Sequence, residues 1–172
     1  MNASVFVGVS VDGFIARANG SLDWLPAAPE SHGYDEFMAT VDVHVIGRKT
    51  YDTVLSFDGW PYGSRPVVVL STHALAAAPT GAAVERMEGN PMDILASLER
   101  RGLGHAYVDG GLTIQGFLRA GAINRLIITR VPVLIGSGVP LFGEMPRDIA
   151  LRHVGTRWYP SGLVQTEYEV AP

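Results

Sequence analysis

The sequence predicts an α/β fold: a mixed, mostly parallel central sheet with helices on both faces and an antiparallel C-terminal hairpin. Three observations carry this. Short Val- and Ile-rich runs alternate with helical patterns along most of the chain, the signature of strand–helix–strand units, which the right-handed crossover rule makes parallel. The tail reads as two strands, 150–159 and 163–170, joined across Pro-Ser-Gly; such a hairpin adds an antiparallel edge. The chain has 172 residues, 47% of them apolar and 17% charged, which suits one domain spanning 1–172 with a sizeable core.

The elements follow in order. Residues 3–11 (ASVFVGVSV) form a Val-rich strand, and 12–29, with Gly, Asn, Ser and Pro, a long loop. Residues 31–40 form a short helix with Tyr34, Phe37 and Met38 on one face. A strand over 41–46 runs directly into a helix over 47–55, and 65–71 is a buried strand by its continuous apolar run. Asn90 then caps a helix that has Pro91 in its first turn and stops at Gly102. A strand over 105–110 leads into a helix over 111–121. A long strand over 123–135 follows, where Pro132 implies a bulge or an edge.

Composition excludes several functions. Lys plus Arg number 13 against 17 acids, a net charge of −4 with a pI near 5.7; with no basic run, nucleic acid is not an expected partner. There is no cysteine, so no disulfide or thiol nucleophile. The five histidines lack metal-ligand spacing, and no metal site is expected. G-x-S-x-G is absent, which removes the serine-hydrolase elbow. The N-terminus has neither the charge nor the apolar run of a signal peptide, and no run approaches a membrane span. A cytoplasmic protein with no membrane partner is the expectation.

Ligands of open α/β sheets bind at strand C-terminal ends. Here those ends are 11–13, 46–48, 70–72 and 108–111. In VIGRKTY (45–51), Gly47 ends a strand and Arg48, Lys49 and Thr50 begin a helix. Free N–H groups there attract an anion, and glycine lets a phosphate approach. An ordinary turn with solvated charges is the plainer alternative. YVDGGLTIQGFL (107–118) repeats the arrangement with Gly110 and Gly111. LIGSGVPLFG (134–143) lacks the third glycine and helix start of a dinucleotide fingerprint, so it reads as a loop. Asp12, at the end of the first strand, is either a proton donor or part of an Asp-Gly turn. Trp24, Tyr34, Phe37 and Trp60 line a flat pocket or pack as core.

In that order, SVDGFIA (10–16), SLDWL (21–25), VIGRKTYD (45–52), VVLST (68–72), YVDGGLTIQGFL (107–118) and RVPVLIGSGVPLF (130–142) resemble the dihydrofolate reductase-like superfamily. Within it, the chain resembles the reductase (C-terminal) domain of bacterial riboflavin biosynthesis deaminase-reductases. The resemblance implies an NADPH-dependent oxidoreductase that transfers a hydride to a small pterin- or pyrimidine-type heteroaromatic or carbonyl substrate. It implies cofactor contacts from Phe14, Ile15 and Ala16 at the nicotinamide, from Gly47, Arg48, Lys49 and Thr50 at the phosphates, and from Ser71 and Thr72 at the adenosine 2′-phosphate. Gly110, Gly111, Leu112, Thr113 and Ile114 would hold the diphosphate and nicotinamide side. It further implies catalysis by Asp12, a substrate wall of Trp24, Tyr34 and Phe37, and a homodimer. Gly33 stands near where a folate reductase carries its first-helix carboxylate, which points away from dihydrofolate. A non-catalytic nucleotide-, pterin- or flavin-binding module is the alternative.

Overall fold

The computed structural model describes residues 1–26 and 31–171; positions 27–29 of the expected loop lie outside them. Ten strands and four helices follow one another among these residues. In chain order they are β1 (Asn2–Ser10), β2 (Phe14–Ala16), α1 (Tyr34–Met38), β3 (Val43–Gly47), α2 (Arg48–Val54), β4 (Val67–Leu70) and β5 (Val84–Met87). Then come α3 (Pro91–Arg100), β6 (His105–Asp109), α4 (Gly111–Arg119), β7 (Arg125–Val131), β8 (Val139–Pro140), β9 (Leu151–Trp158) and β10 (Val164–Val170).

Eight strands form one sheet in the order β5-β4-β3-β6-β1-β7-β10-β9. Its first six strands are parallel, and the β9–β10 hairpin pairs antiparallel onto β7. This is the mixed sheet the alternation predicted. The two-residue side-chain period of a strand sorts residues between its faces. Ala3, Val5, Val7 and Val9 of β1, with Ala106 and Val108 of β6, face α3 and α4 and pack on Ile94, Leu98, Ile114 and Phe117. On the opposite face Phe6 and Tyr107 meet Phe37 and Met38 of α1, while Ile46, Val67 and Val69 meet Tyr51 and Val54 of α2. Phe117 is 1% exposed; truncating it to Ala would cost about 3–5 kcal/mol.

The boundaries depart from expectation in several places. Two stretches expected as loops contain strands, β2 within 12–29 and β8 within 134–143, and these pair in a separate two-stranded sheet. β5 was not expected; it is an edge strand whose Glu85 and Arg86 are exposed, so it carries no apolar signal. The strand expected to reach residue 135 ends at Val131, because Pro132 cannot donate to the ladder. α1 is confined to 34–38: Gly33, at φ 79°, starts it, and Thr40 closes it by donating its hydroxyl to the Phe37 carbonyl. Asn90 caps α3 as expected, its side chain accepting from the Met92 N–H at 2.9 Å.

Candidate active site

β3 and β6 are neighbours, and the chain leaves them in opposite directions. α2 follows β3 onto one face and α4 follows β6 onto the other. Such a switch point opens a crevice at the strand ends. Both helices begin there on a glycine, Gly47 and Gly110, with no side chain capping the first turn. Those N–H groups are left to serve a ligand. The two glycines are required by close approach. A Cβ on Gly47 would lie 2.6 Å from the Thr113 hydroxyl oxygen, and one on Gly110 would lie 2.5 Å from that of Thr50. Each helix start is thus keyed to the other's glycine. Gly110 also sits at φ 96°, which a side chain resists.

A cleft of about 710 Å³ opens from this junction. One part is lined by Gly47, Arg48, Lys49 and Thr50 with Gly110, Gly111, Leu112 and Thr113. A second wall is Ile15 and Ala16 of β2 with Val139 of β8. The far part is aromatic and apolar: Tyr34, Tyr62, Tyr107, Phe57, Leu22 and Leu25. Tyr107 is fixed by donating its hydroxyl to the Phe6 carbonyl at 2.7 Å, and its ring lies 5.3 Å from that of His44. The Tyr62 ring also packs on His44, at 4.4 Å.

Asp109 stands where the parts join. Its Oδ1 accepts the Gly110 N–H at 2.7 Å, and no cation pairs with it among the described residues. Burial pushes its carboxyl above the ordinary carboxylate range, against the smaller opposing pull of the Gly110 N–H. Burial likewise raises the phenols of Tyr34, Tyr62 and Tyr107, and the Asp109 charge adds to each. A carboxyl whose pKa is raised by burial, in a cleft of phenols, is suited to donating a hydrogen bond or a proton.

The residues expected at the site are partly brought together. Ile15, Ala16, Gly47, Arg48, Lys49, Thr50, Gly110, Gly111, Leu112 and Thr113 line the cleft. Ile114 is wholly buried in the core behind it. Phe14 pairs with Pro140 rather than lining the cleft. Ser71 and Thr72 lie just past Leu70, which does line it. Their segment is held by two guanidiniums, Arg86 on the Ser71 carbonyl and Arg48 on the Ala74 carbonyl, each at 2.9 Å. Arg48 also gives its Nε–H to both oxygens of Asp52 at 3.0 Å.

Of the expected substrate wall, Tyr34 reaches the cleft; Trp24 and Phe37 do not. Trp24 is buried against Val131 and Leu163, and Phe37 packs beneath the floor, 5.1 Å from Phe6 and 5.2 Å from Tyr107. Asp12 does not line the cleft either; its carboxylate is engaged by a neighbouring loop. Tyr62, Tyr107, Phe57, Asp109 and Arg86 were not anticipated. The signal for two of them was present: in HAYVD (105–109), Tyr107 and Asp109 share a face by the two-residue period.

A family model, the RibD C-terminal domain, matches residues 4–165. The chain is 40% identical, at a TM-score of 0.90 and full coverage of both chains, to a crystal structure from Shewanella sp. PV-4 provisionally assigned to riboflavin biosynthesis. It is 32% identical, over 95% of both chains, to the uncharacterized protein YwjB of Bacillus subtilis strain 168. Dihydrofolate reductase from Enterococcus faecalis, solved with NADP(H), shares the fold at a TM-score of 0.69 and 18% identity, over 98% of this chain and 94% of its own.

Proposed function

The chain belongs to the RibD C-terminal domain family, and from that premise we propose that it is an NADPH-dependent reductase of a small, flat heteroaromatic or carbonyl substrate of pterin or pyrimidine type. One observation carries the reading: a single cleft joins two glycine-started helices at the sheet's switch point to an aromatic chamber, with Asp109 between them. The uncapped first-turn N–H groups that follow Gly47 and Gly110 fit a dinucleotide's phosphates. Gly47 to Thr50 and Gly110 to Thr113 would hold its phosphates, with Ile15, Ala16 and Val139 against the nicotinamide end. Arg48 and Arg86, around Ser71 and Thr72, would meet the 2′-phosphate. When bound, the cofactor supplies a hydride.

The protein's own share is orientation and the proton. Tyr34, Tyr62 and Tyr107 offer an aromatic wall for a flat substrate, so the reacting groups are held in place rather than meeting by chance. The Asp109 carboxyl would hydrogen-bond the substrate and deliver the proton that accompanies hydride addition to a C=N or C=O bond. Two copies pairing through the C-terminal hairpin, in the cytoplasm, complete the proposal. The edge strand β9 with its exposed Trp158 supports the pairing.

The test is titration of the purified chain with NADPH by fluorescence. It is followed by an assay of NADPH oxidation with reduced and oxidised pterins, aminopyrimidines and simple carbonyl compounds. Saturable NADPH binding with turnover of one substrate class is expected. Absence of NADPH binding overturns the reading; binding without turnover of any of them leaves a nucleotide-binding module.

A further inference from the structure

The SVDG segment, which leaves β1 at Ser10, carries a carboxylate that does not line the cleft, and its contacts show what it does. Ser10, 1% exposed, donates its hydroxyl to Asp12 Oδ1 at 2.6 Å and accepts the Phe14 N–H at 2.9 Å. From the other side, two successive backbone groups converge on the same carboxylate. The Ile135 N–H reaches Oδ1 at 3.2 Å and the Gly136 N–H reaches Oδ2 at 2.7 Å. The last two contacts join the β1–β2 turn to the loop that follows β7, across more than 120 positions of sequence.

What lies beyond that junction is the cleft wall. Gly138 runs so close to β2 that a Cβ on it would fall 2.2 Å from the Ala16 carbonyl oxygen. The next residues, Val139 and Pro140, pair with Ala16 and Phe14. Val139 in turn presses on the start of α4, where a Cβ on Gly111 would lie 2.7 Å from its Cγ1. A two-residue strand paired with a three-residue one has little stability of its own. Something outside the pair must hold it, and the carboxylate of Asp12 is placed to do so.

We propose that Asp12 is a positioning residue: it pins the Ile135–Gly136 turn so that Val139 and Ile15–Ala16 stand as a fixed wall against the α4 N-terminus. The proposal rests on the functional reading for its consequence in turnover, though not for the pin itself. Asp12 acts through the loop and touches no reacting atom. Asn in its place keeps one acceptor oxygen and turns an NH₂ group toward the second N–H, so it holds the turn half as well. Ala offers it no acceptor and leaves only the flanking backbone bonds, Val11 N–H to the Val133 carbonyl and Leu141 N–H to the Gly13 carbonyl. The contacts also hold the Asp12 carboxyl below its ordinary range, the Ser10 hydroxyl foremost, the opposite of what a proton donor near neutrality needs.

The experiment compares wild type, Asp12→Asn, Asp12→Ala and Gly138→Ala by amide hydrogen exchange, with steady-state kinetics on the same proteins. Exchange at 135–139 and 14–16 should rise in the order wild type, Asn, Ala, with 84–100 unchanged as an internal reference. Turnover should fall by about 10²-fold in Asp12→Ala, the scale of a misplacement near 1 Å, and by less in Asp12→Asn. The pH profile should keep its shape in both. Gly138→Ala strikes the same wall, so adding it to Asp12→Ala should cost far less than the product of the single effects. Unchanged exchange at 135–139 in Asp12→Ala overturns the pin. So does loss of one limb of the pH profile in Asp12→Asn, which would make Asp12 the proton donor. If wild type fails to bind NADPH, the functional reading falls, and the exchange pattern alone decides the pin.

Discussion

His44→Phe should flatten the acid side of the stability profile. His44 is fully buried on β3 beside Tyr62 and Tyr107, and neither ring nitrogen has a hydrogen-bond partner among the described residues. Burial, helped by the positive charge of Arg65, lowers its pKa from 6.5 to about 4. The unfolded chain therefore takes up a proton near pH 6.5 that the folded chain refuses until about pH 4. The stability tied to keeping this ring neutral is fully present above pH 6.5 and is lost as pH falls toward 4. At 1.36 kcal/mol per pH unit the loss is about 3 kcal/mol, a large part of a typical total of about 5–15 kcal/mol. Carboxylates titrate in the same window, so the difference between wild type and variant is the quantity to measure. Urea unfolding at neutral pH and at about pH 4 gives it by linear extrapolation. Phe keeps the aromatic contacts and removes the two unsatisfied nitrogens. The stability difference should therefore move by about 3 kcal/mol in favour of Phe on acidification. Equal losses in the two proteins would refute a buried neutral imidazole. So would an imidazole resonance of His44 that titrates near its ordinary value.

Four further outcomes are expected. Asp109→Asn should cut turnover by about 10²-fold or more. Because the folded pKa of Asp109 is raised, wild type binds its proton more tightly folded than unfolded. Its contribution is therefore most favourable in acid and declines as pH rises through the raised pKa, so the variant should be at least as stable at neutral pH; a less stable variant in urea unfolding counts against this. Gly110→Ala should destabilise by about 1–3 kcal/mol and weaken NADPH at least about tenfold, read by thermal unfolding and titration. NADPH should bind at least about tenfold tighter than NADH, and Arg48→Ala should remove most of that gap; equal affinities in wild type would show that the 2′-phosphate is not read there. Trp158, 78% exposed on the edge strand, should be buried between two copies. Sedimentation is expected to show a dimer that Trp158→Ala weakens, and a monomer at micromolar concentration refutes it.

Much of the architecture was legible because strand periodicity and helix punctuation are local. Asn90-Pro91 and the Val runs of β1, β3 and β4 say what they are without help from the rest of the chain. β2, β5 and β8 were not legible. β2 and β8, of three and two residues, are too short to carry a period, and β5 is an edge whose exposed Glu85 and Arg86 remove its apolar signal. Trp24 and Phe37 show a second limit. An aromatic pattern identifies a buried side, but not whether that side faces a cleft or the back of another ring. Phe37 turns to Phe6 and Tyr107, and it is their other sides that meet the ligand space.

The position of the cleft follows from the same logic one level up. Neither VIGRKTY nor YVDGGLT is distinctive alone, since strand–glycine–helix turns are common. They become a site because β3 and β6 are adjacent while their helices depart to opposite faces. That arrangement brings Thr50 onto Gly110 and Thr113 onto Gly47, so a side chain on either glycine would displace the facing threonine hydroxyl. It also leaves the side chain before Gly110 at the mouth of the junction, where the two-residue period sends Asp109 to the Tyr107 face and Val108 to the core. A carboxyl at that point of the sheet is therefore set by topology as much as by motif. Moving it one residue, by exchanging Val108 and Asp109, should bury a charge among Val45, Ile114 and Phe117 and abolish folding. A stable, folded exchange variant would refute that placement.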